Sequence, residues 1–238
     1  MTNTARLNLP LVAAAQAQKH VTVNEALSRL DAVVQLSVKS RVETVPPTLV
    51  VENDVFLVPA TGGVNAWSGH ANQLAYYING GWDFVDPLPG WKTFVADEGV
   101  HLTFDGADWS ENVLAMTPFR AAMRAEVEEF DFEIPAGASA LTPFVLPGSS
   151  SVFGITGVVV SEITGTLMDW SLGVSTSSNR YGSSLGLGEG SWVQGLTGQP
   201  VTYYSAEQLV LTANGGDFAG GTVRLAVHRL RFDIPNQS

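Results

Sequence analysis

Seven side chains in the last third of the chain have types suited to gripping a sugar: Trp170, Asn179, Arg180, Tyr181, Trp192, Tyr203 and Tyr204. Flat aromatic faces pack on the C–H faces of pyranose rings, and amide and guanidinium groups fix hydroxyls. All seven lie in or beside Ser/Gly-rich stretches, which predict loops on a rigid scaffold, where binding residues concentrate. The competing reading is core packing plus turn chemistry. A second aromatic set, Trp67, His70, Tyr76, Tyr77, Trp82, Trp91 and Trp109, has Asn and Asp neighbours and admits the same two readings. Large aromatics are usually buried, which favours a core there.

Other chemistry has less to build on. The four histidines, at 20, 70, 101 and 228, lack metal-ligand spacing, so neither metal nor other cofactor is expected. Asp105, Asp108 and Glu111 cluster, and two carboxylates can hydrolyse a glycoside. Such clusters also make ordinary turns, and the repeat of a long β-helix is absent. No catalytic residue is assigned and the chain is read as a non-enzyme. Gly215-Gly216-Asp217-Phe218 spells a diguanylate cyclase signature, but among predicted strands Asn214-Gly215-Gly216 reads as a hairpin turn. Gly186-Leu187-Gly188 opens no helix, so it is no dinucleotide fingerprint. Arg224, His228, Arg229 and Arg231 form the densest basic group. They suit an anionic sugar or acidic partner, the solvated face of an edge strand, or salt bridges between subunits.

Composition narrows the classes. Of 238 residues, 45% are hydrophobic and 15% charged, which predicts a globular chain. A net charge of −11 argues against nucleic acid and anionic membrane surfaces. Cysteine is absent, removing disulfides and thiolate chemistry. No apolar window of about 18 residues predicts membrane insertion. The N-terminus lacks the pattern of a signal peptide, so synthesis in the cytoplasm without a cleaved signal is expected.

The elements that must position these residues are short. Thr22 and Glu25 form a capping box before a helix over about Val23–Val38. Val23, Ala26, Leu27, Leu30, Val33 and Val34 share one face of it and are the candidate oligomer interface. That face packs either on the rest of the chain or on sister copies. Ala13–His20 reads as a short helix or packed loop, and Pro46-Pro47 stops any continuation. From Thr48 the period becomes two. Asn79-Gly80 and Asp105-Gly106 are hairpin signals. Thr117-Pro118 predicts the start of a second helix running to near Glu128. From Asp131 only strands and turns follow. The apolar positions of the last strand switch from odd (Val223, Leu225, Val227) to even (Leu230, Phe232, Ile234), which predicts a bulge or kink at His228-Arg229. The expected fold is mainly β with a few short helices. An N-terminal arm and capped helix (1–47) precede a small β-hairpin module (48–112). A short helical neck (113–130) leads to a C-terminal antiparallel β-sandwich of jelly-roll type (131–238).

In chain order, QAQKHVTVNEAL, LDAVVQL, a Pro-Pro pair, WSGHANQLA, GGWDF, GW and DG-x-x-W occupy residues 7–112. This series resembles an uncharacterised domain family found in phage-derived tail proteins of alphaproteobacterial phages and gene transfer agents. The C-terminal half is similar to the β-domain that often follows. The resemblance implies a virion appendage, a tail fibre or spike, that attaches the particle to host surface polysaccharide or capsule. It implies a homo-oligomer, a trimer first of all, docked on other tail or baseplate proteins through its N-terminal region. It supplies no catalytic residues. A connector carrying a more distal fibre, and a glycan-degrading hydrolase, are the alternatives.

Overall fold

The computed structural model describes residues 3–13 and 19–237. The expectation for Ala14–Gln18 lies outside the described residues. Two compact units are present, Met1–Val113 and Leu114–Ser238.

In the first unit the helix α1 runs over Lys19–Val33. Thr22 therefore lies inside the helix, and the capping box does not start it. Gln35 takes φ 50 just past the end. The Arg6 guanidinium donates to the carbonyls of Ala32 (2.9 Å) and Gln35 (3.2 Å), supplying partners for C-terminal carbonyls that a helix leaves unpaired. Ser37–Val38, expected within the helix, instead form the short strand β1, which pairs in parallel with β5 (Lys92–Val95). The remaining strands of this unit are β2 (Val55–Leu57), β3 (Leu74–Ile78), β4 (Gly81–Val85), β6 (Val100–Phe104) and β7 (Trp109–Glu111). They form two sheets, β2-β3-β4 and β1-β5-β6-β7.

Asn79-Gly80 joins β3 to β4 with φ 51 and 77, the two positive values a type I′ turn needs. The second expected turn differs. β6 and β7 are joined by the four residues 105–108, and the Asp105 carboxylate accepts the N–H groups of Ala107 and Asp108, both at 2.8 Å. A side chain that closes its own turn makes the two-residue form unnecessary.

The second unit contains β8 (Val113–Met116), β9 (Ala122–Glu133), β10 (Ser139–Leu146), β11 (Ser150–Gly165), β12 (Asp169–Val174), β13 (Ser177–Leu185), β14 (Trp192–Tyr203), β15 (Glu207–Asn214) and β16 (Phe218–Asp233). The sheets run β14-β11-β16-β9-β8 and β10-β15-β12-β13. One buried cluster draws Val152, Ile155, Leu225 and Val227 from the first sheet and Leu146, Trp170, Leu172 and Leu211 from the second, so the sheets pack face to face. Apart from β8 and the β12–β13 hairpin, consecutive strands alternate between sheets in the order of a jelly roll, as expected.

The helical neck is a correction. Residues 117–121 form a tight turn, closed by the Thr117 N–H donating to the Ala121 carbonyl, with Arg120 at φ 64. The rest is strand β9, paired with β16 without a break from Ala122↔Asp233 to Glu133↔Thr222. Its Ala, Met, Arg and Glu residues favour helix locally, but a partner strand of matching length overrides that preference. The expected bulge in the last strand lies in its neighbour. β16 keeps one register with β9, while β11 shifts between Val152↔Arg229 and Gly154↔His228, leaving Phe153 as the extra residue. The odd and even apolar sets of β16 simply face opposite sides, Val223, Leu225 and Val227 inward and Phe232 outward.

Candidate functional site

The seven candidate sugar contacts separate. Trp170 on β12 is fully buried and donates Nε1–H to the Gly186 carbonyl at 3.0 Å. Tyr181 on β13 and Tyr203 on β14 are buried with their hydroxyls 2.7 Å apart. Burial raises the Tyr181 phenol pKa, and the Tyr203 hydroxyl raises it further. These three rings are core and cannot meet a ligand, because strand alternation turns them inward. Asn179 and Arg180 on β13, Trp192 and Tyr204 are exposed. Trp192 opposes Val158 and Tyr203 opposes Ser150 on β11. The eight intervening steps put Trp192 and Tyr204 roughly 26 Å apart, too far to grip one sugar ring.

The basic group is also dispersed. β16 lies between β11 and β9, so it is no edge strand. Arg224 and His228 point to the outer face, where Arg224 pairs with Asp131 at 2.6 Å and His228 Nε2 meets Thr156 Oγ1 at 2.9 Å. Arg229 and Arg231 point inward. Arg229 pairs with Glu126 at 2.8 Å and Glu128 at 2.9 Å, and Arg231 pairs with Glu126 and Asp233, each at 3.1 Å. The carboxylates of β9 engage these arginines within the chain.

In the first unit, Trp67 is fully buried against Phe56 and Trp82, with Tyr77 at the edge of Trp82. His70 stacks flat on Phe84 at 3.5 Å. This set is a small aromatic core. The carboxylate cluster serves structure: Asp105 closes its turn, and Glu111 and Glu98 both pair with Arg41. Hydrogen bonding to Glu98 holds the Arg41 guanidinium firmly in its charged form. No group of three or more His, Asp or Glu able to hold a metal ion occurs among the described residues. No helix among them is long and apolar enough to cross a membrane.

The candidate interface of α1 divides. Val23, Ala26, Leu30 and Val34 are exposed, while Leu27 and Val33 are half-buried, Val33 against the unit's core. The helix is fixed instead through its opposite side, where Ser28, Asp31 and Ala32 are buried.

One concave feature gathers aromatic and polar groups. An open groove of about 600 Å³ is lined by Val33, Leu36, Trp91 and Phe94 on its apolar side and Gln35, Ser37, Lys92, Thr93 and His101 on its polar side. The parallel pairing of Ser37 with Phe94, and the Phe94 N–H bond to the Leu36 carbonyl, bring the end of α1 beside β5. Phe94 and His101 are cross-strand neighbours with rings 5.1 Å apart. No carboxylate is among the described residues that line the groove, although the chain carries 23 of them. Of these residues the sequence singled out only Trp91 as an aromatic contact. Phe94 meets the end of α1 through the β1–β5 pairing, which joins segments far apart in the chain and which no local pattern announces, and His101 faces Phe94 from β6.

Residues 23–110 match the model of a family described as a protein of unknown function, DUF2793. No curated protein is similar to the chain. A chain in the capsid asymmetric unit of cyanophage Pam1 is 23% identical, over 46% of this chain and 84% of its own, with a TM-score of 0.33, a likeness too distant to bear on function.

Proposed function

We propose that the chain is a subunit of a virion appendage, a tail fibre or spike of a phage or gene transfer agent, that attaches the particle to host surface polysaccharide. The ordered motifs over residues 7–112, which overlap the family match, support the particle setting. One observation carries the attachment reading: the open groove with Trp91 and Phe94 on one side and Gln35, Lys92 and His101 on the other. Aromatic faces suit sugar C–H faces, and the polar groups suit hydroxyls. Lys92 without a nearby lining carboxylate makes the groove tolerant of acidic sugars. In this reading the N-terminal region docks on tail or baseplate proteins. The exposed stripe of α1 meets sister copies, in a trimer first of all, and symmetry turns weak sites into avidity.

The experiment pairs particle adsorption with binding of purified protein to host polysaccharide. Particles lacking the protein should adsorb poorly, and Trp91→Ala should abolish binding by the pure protein at a temperature where its melting curve shows it folded, since Trp91 also packs on the unit's core. Normal adsorption overturns the appendage reading. Poor adsorption with no polysaccharide binding by the pure wild-type chain makes it a connector for a more distal fibre.

A further inference from the structure

An antiparallel sheet with one free face ordinarily shows polar residues to solvent. The five-stranded sheet of the sandwich departs from this. Phe153 and Val158 on β11, Trp192 and Leu196 on β14, Val127 on β9 and Phe232 on β16 are all exposed, Trp192 by 70% and Val127 by 66%. Register and strand alternation place Val158, Trp192, Leu196, Val127 and Phe232 on the outer side, and the bulged residue Phe153 is exposed at the β11 irregularity. Val158 opposes Trp192, Gly154 opposes both Leu196 and His228, and His228 opposes Val127. The alternate residues Ile155, Leu225 and Val227 fill the core beneath.

We propose that a second copy of this chain packs on this outer face, sheet against sheet. The size fits. Four strands about 4.8 Å apart, over the twelve paired residues of β16 at about 3.3 Å each, give a footprint of roughly 750 Å². A stable pair buries about 800 Å² per partner. An exposed tryptophan among aliphatics is the composition of an interface hot spot. The charges select the occupant. Arg224 on β16 stands beside Asp131 and Glu129 on β9, so both signs occur in adjacent columns. A second copy carries both columns and can set opposite against opposite. A partner of single negative sign, such as a nucleic acid or an acidic glycan, meets the carboxylate column and is repelled. In a chain of net charge −11, copies meet best through such a balanced patch. The inference is independent of polysaccharide binding and of the α1 stripe, which is a different surface.

The test uses the full chain. Sedimentation equilibrium reads copy number, and hydroxyl-radical footprinting reads Trp192 against Tyr204 and Met168, which are exposed outside these strands. Val127→Asp with Leu196→Asp changes two exposed positions, so the melting temperature should hold. The dissociation constant should rise about a hundredfold. Trp192 should label about fivefold more slowly in assembled wild type than in this variant, with Tyr204 and Met168 unchanged, as expected of a residue at a desolvated interface centre. If the variant misfolds, wild type diluted below its dissociation midpoint gives the same monomer reference. A wild-type chain still monomeric near ~100 μM, a concentration at which an interface of this size associates, overturns the proposal. So does an assembly in which Trp192 labels as fast as in the monomer.

Discussion

The Asp31 carboxylate and the Thr4 hydroxyl lie 2.7 Å apart, both buried, and join the N-terminal segment to α1. Asp31 also accepts the backbone N–H groups of Arg6 (2.9 Å) and Leu7 (2.6 Å) and the Asn53 side-chain amide (2.8 Å). One carboxylate thus holds three segments of the first unit. Asp31→Ala should destabilise that unit by about 3 kcal/mol, because it strands buried donors. Thermal unfolding followed in wild type and variant measures it.

The same carboxylate predicts acid sensitivity. Burial alone raises its pKa, but the bonds from Thr4, Leu7 and Arg6, with the Arg6 charge, outweigh burial and leave it lowered. A carboxyl depressed on folding stabilises fully above its unfolded pKa of about 3.9 and loses that contribution as pH falls through the lower folded value. Wild type should therefore lose more stability than Asp31→Asn on going from pH 5 to pH 3, a window set by that unfolded pKa. Parallel losses would show that other carboxylates set the acid limit.

The Tyr181–Tyr203 pair makes the opposite prediction for the sandwich. Burial raises both phenol pKa values, and the mutual hydrogen bond adds to the shift at Tyr181. A phenol raised on folding stabilises fully below its unfolded pKa of about 10 and loses that contribution as pH climbs beyond it. Tyr203→Phe should cost about 1 kcal/mol at neutral pH. It should also flatten the alkaline decline, read as unfolding free energy against pH.

The jelly roll was legible because Gly, Pro and Asn clusters punctuate its strands, and in the first unit Asn79-Gly80 named the β3–β4 hairpin directly. The β9 strand was not, since AAMRAEVEEF consists largely of helix formers and its strand state depends on β16, roughly 100 residues later. The candidate site failed for a related reason. Trp170, Tyr181 and Tyr203 sit beside Ser/Gly-rich segments, but those segments are themselves strands with an inward face. Nothing local in the sequence says which side a Tyr in GSS or TYYS takes. The polar anchoring of α1 was hidden too, because Asp31 reads as a surface residue until Thr4 and Asn53 are brought to it.

The α1 stripe yields a prediction free of core effects. Leu30 is exposed by 49%, so Leu30→Asp should leave the melting of the first unit within about 0.5 kcal/mol of wild type. If the stripe meets sister helices, the same change should raise the concentration at which copies dissociate. Sedimentation of variant and wild type decides it. An unchanged assembly would remove α1 from the interface and leave the outer sheet face to account for association.

Arg229 gives the sharpest contrast between removing a charge and removing a pair. Its side chain is 8% exposed, inside the end of the sandwich, between Glu126 and Glu128, and its Nη1 is buried without a partner. Arg229→Ala takes from Glu126 its buried partner and leaves it the more exposed Arg231, so it should cost about 3–5 kcal/mol. Replacing both members, Arg229→Met with Glu126→Leu, removes the buried charge with its partner and extends the apolar face begun by Leu225 and Val227. It should recover most of that loss, as buried ion pairs often exchange for packed apolar groups at little net cost. Arg229→Met alone, Glu126→Leu alone and the double form a cycle whose coupling energy, from denaturant unfolding, should favour the double by at least about 2 kcal/mol. A double variant no more stable than Arg229→Ala would show that the loss comes from missing packing volume and not from a stranded carboxylate.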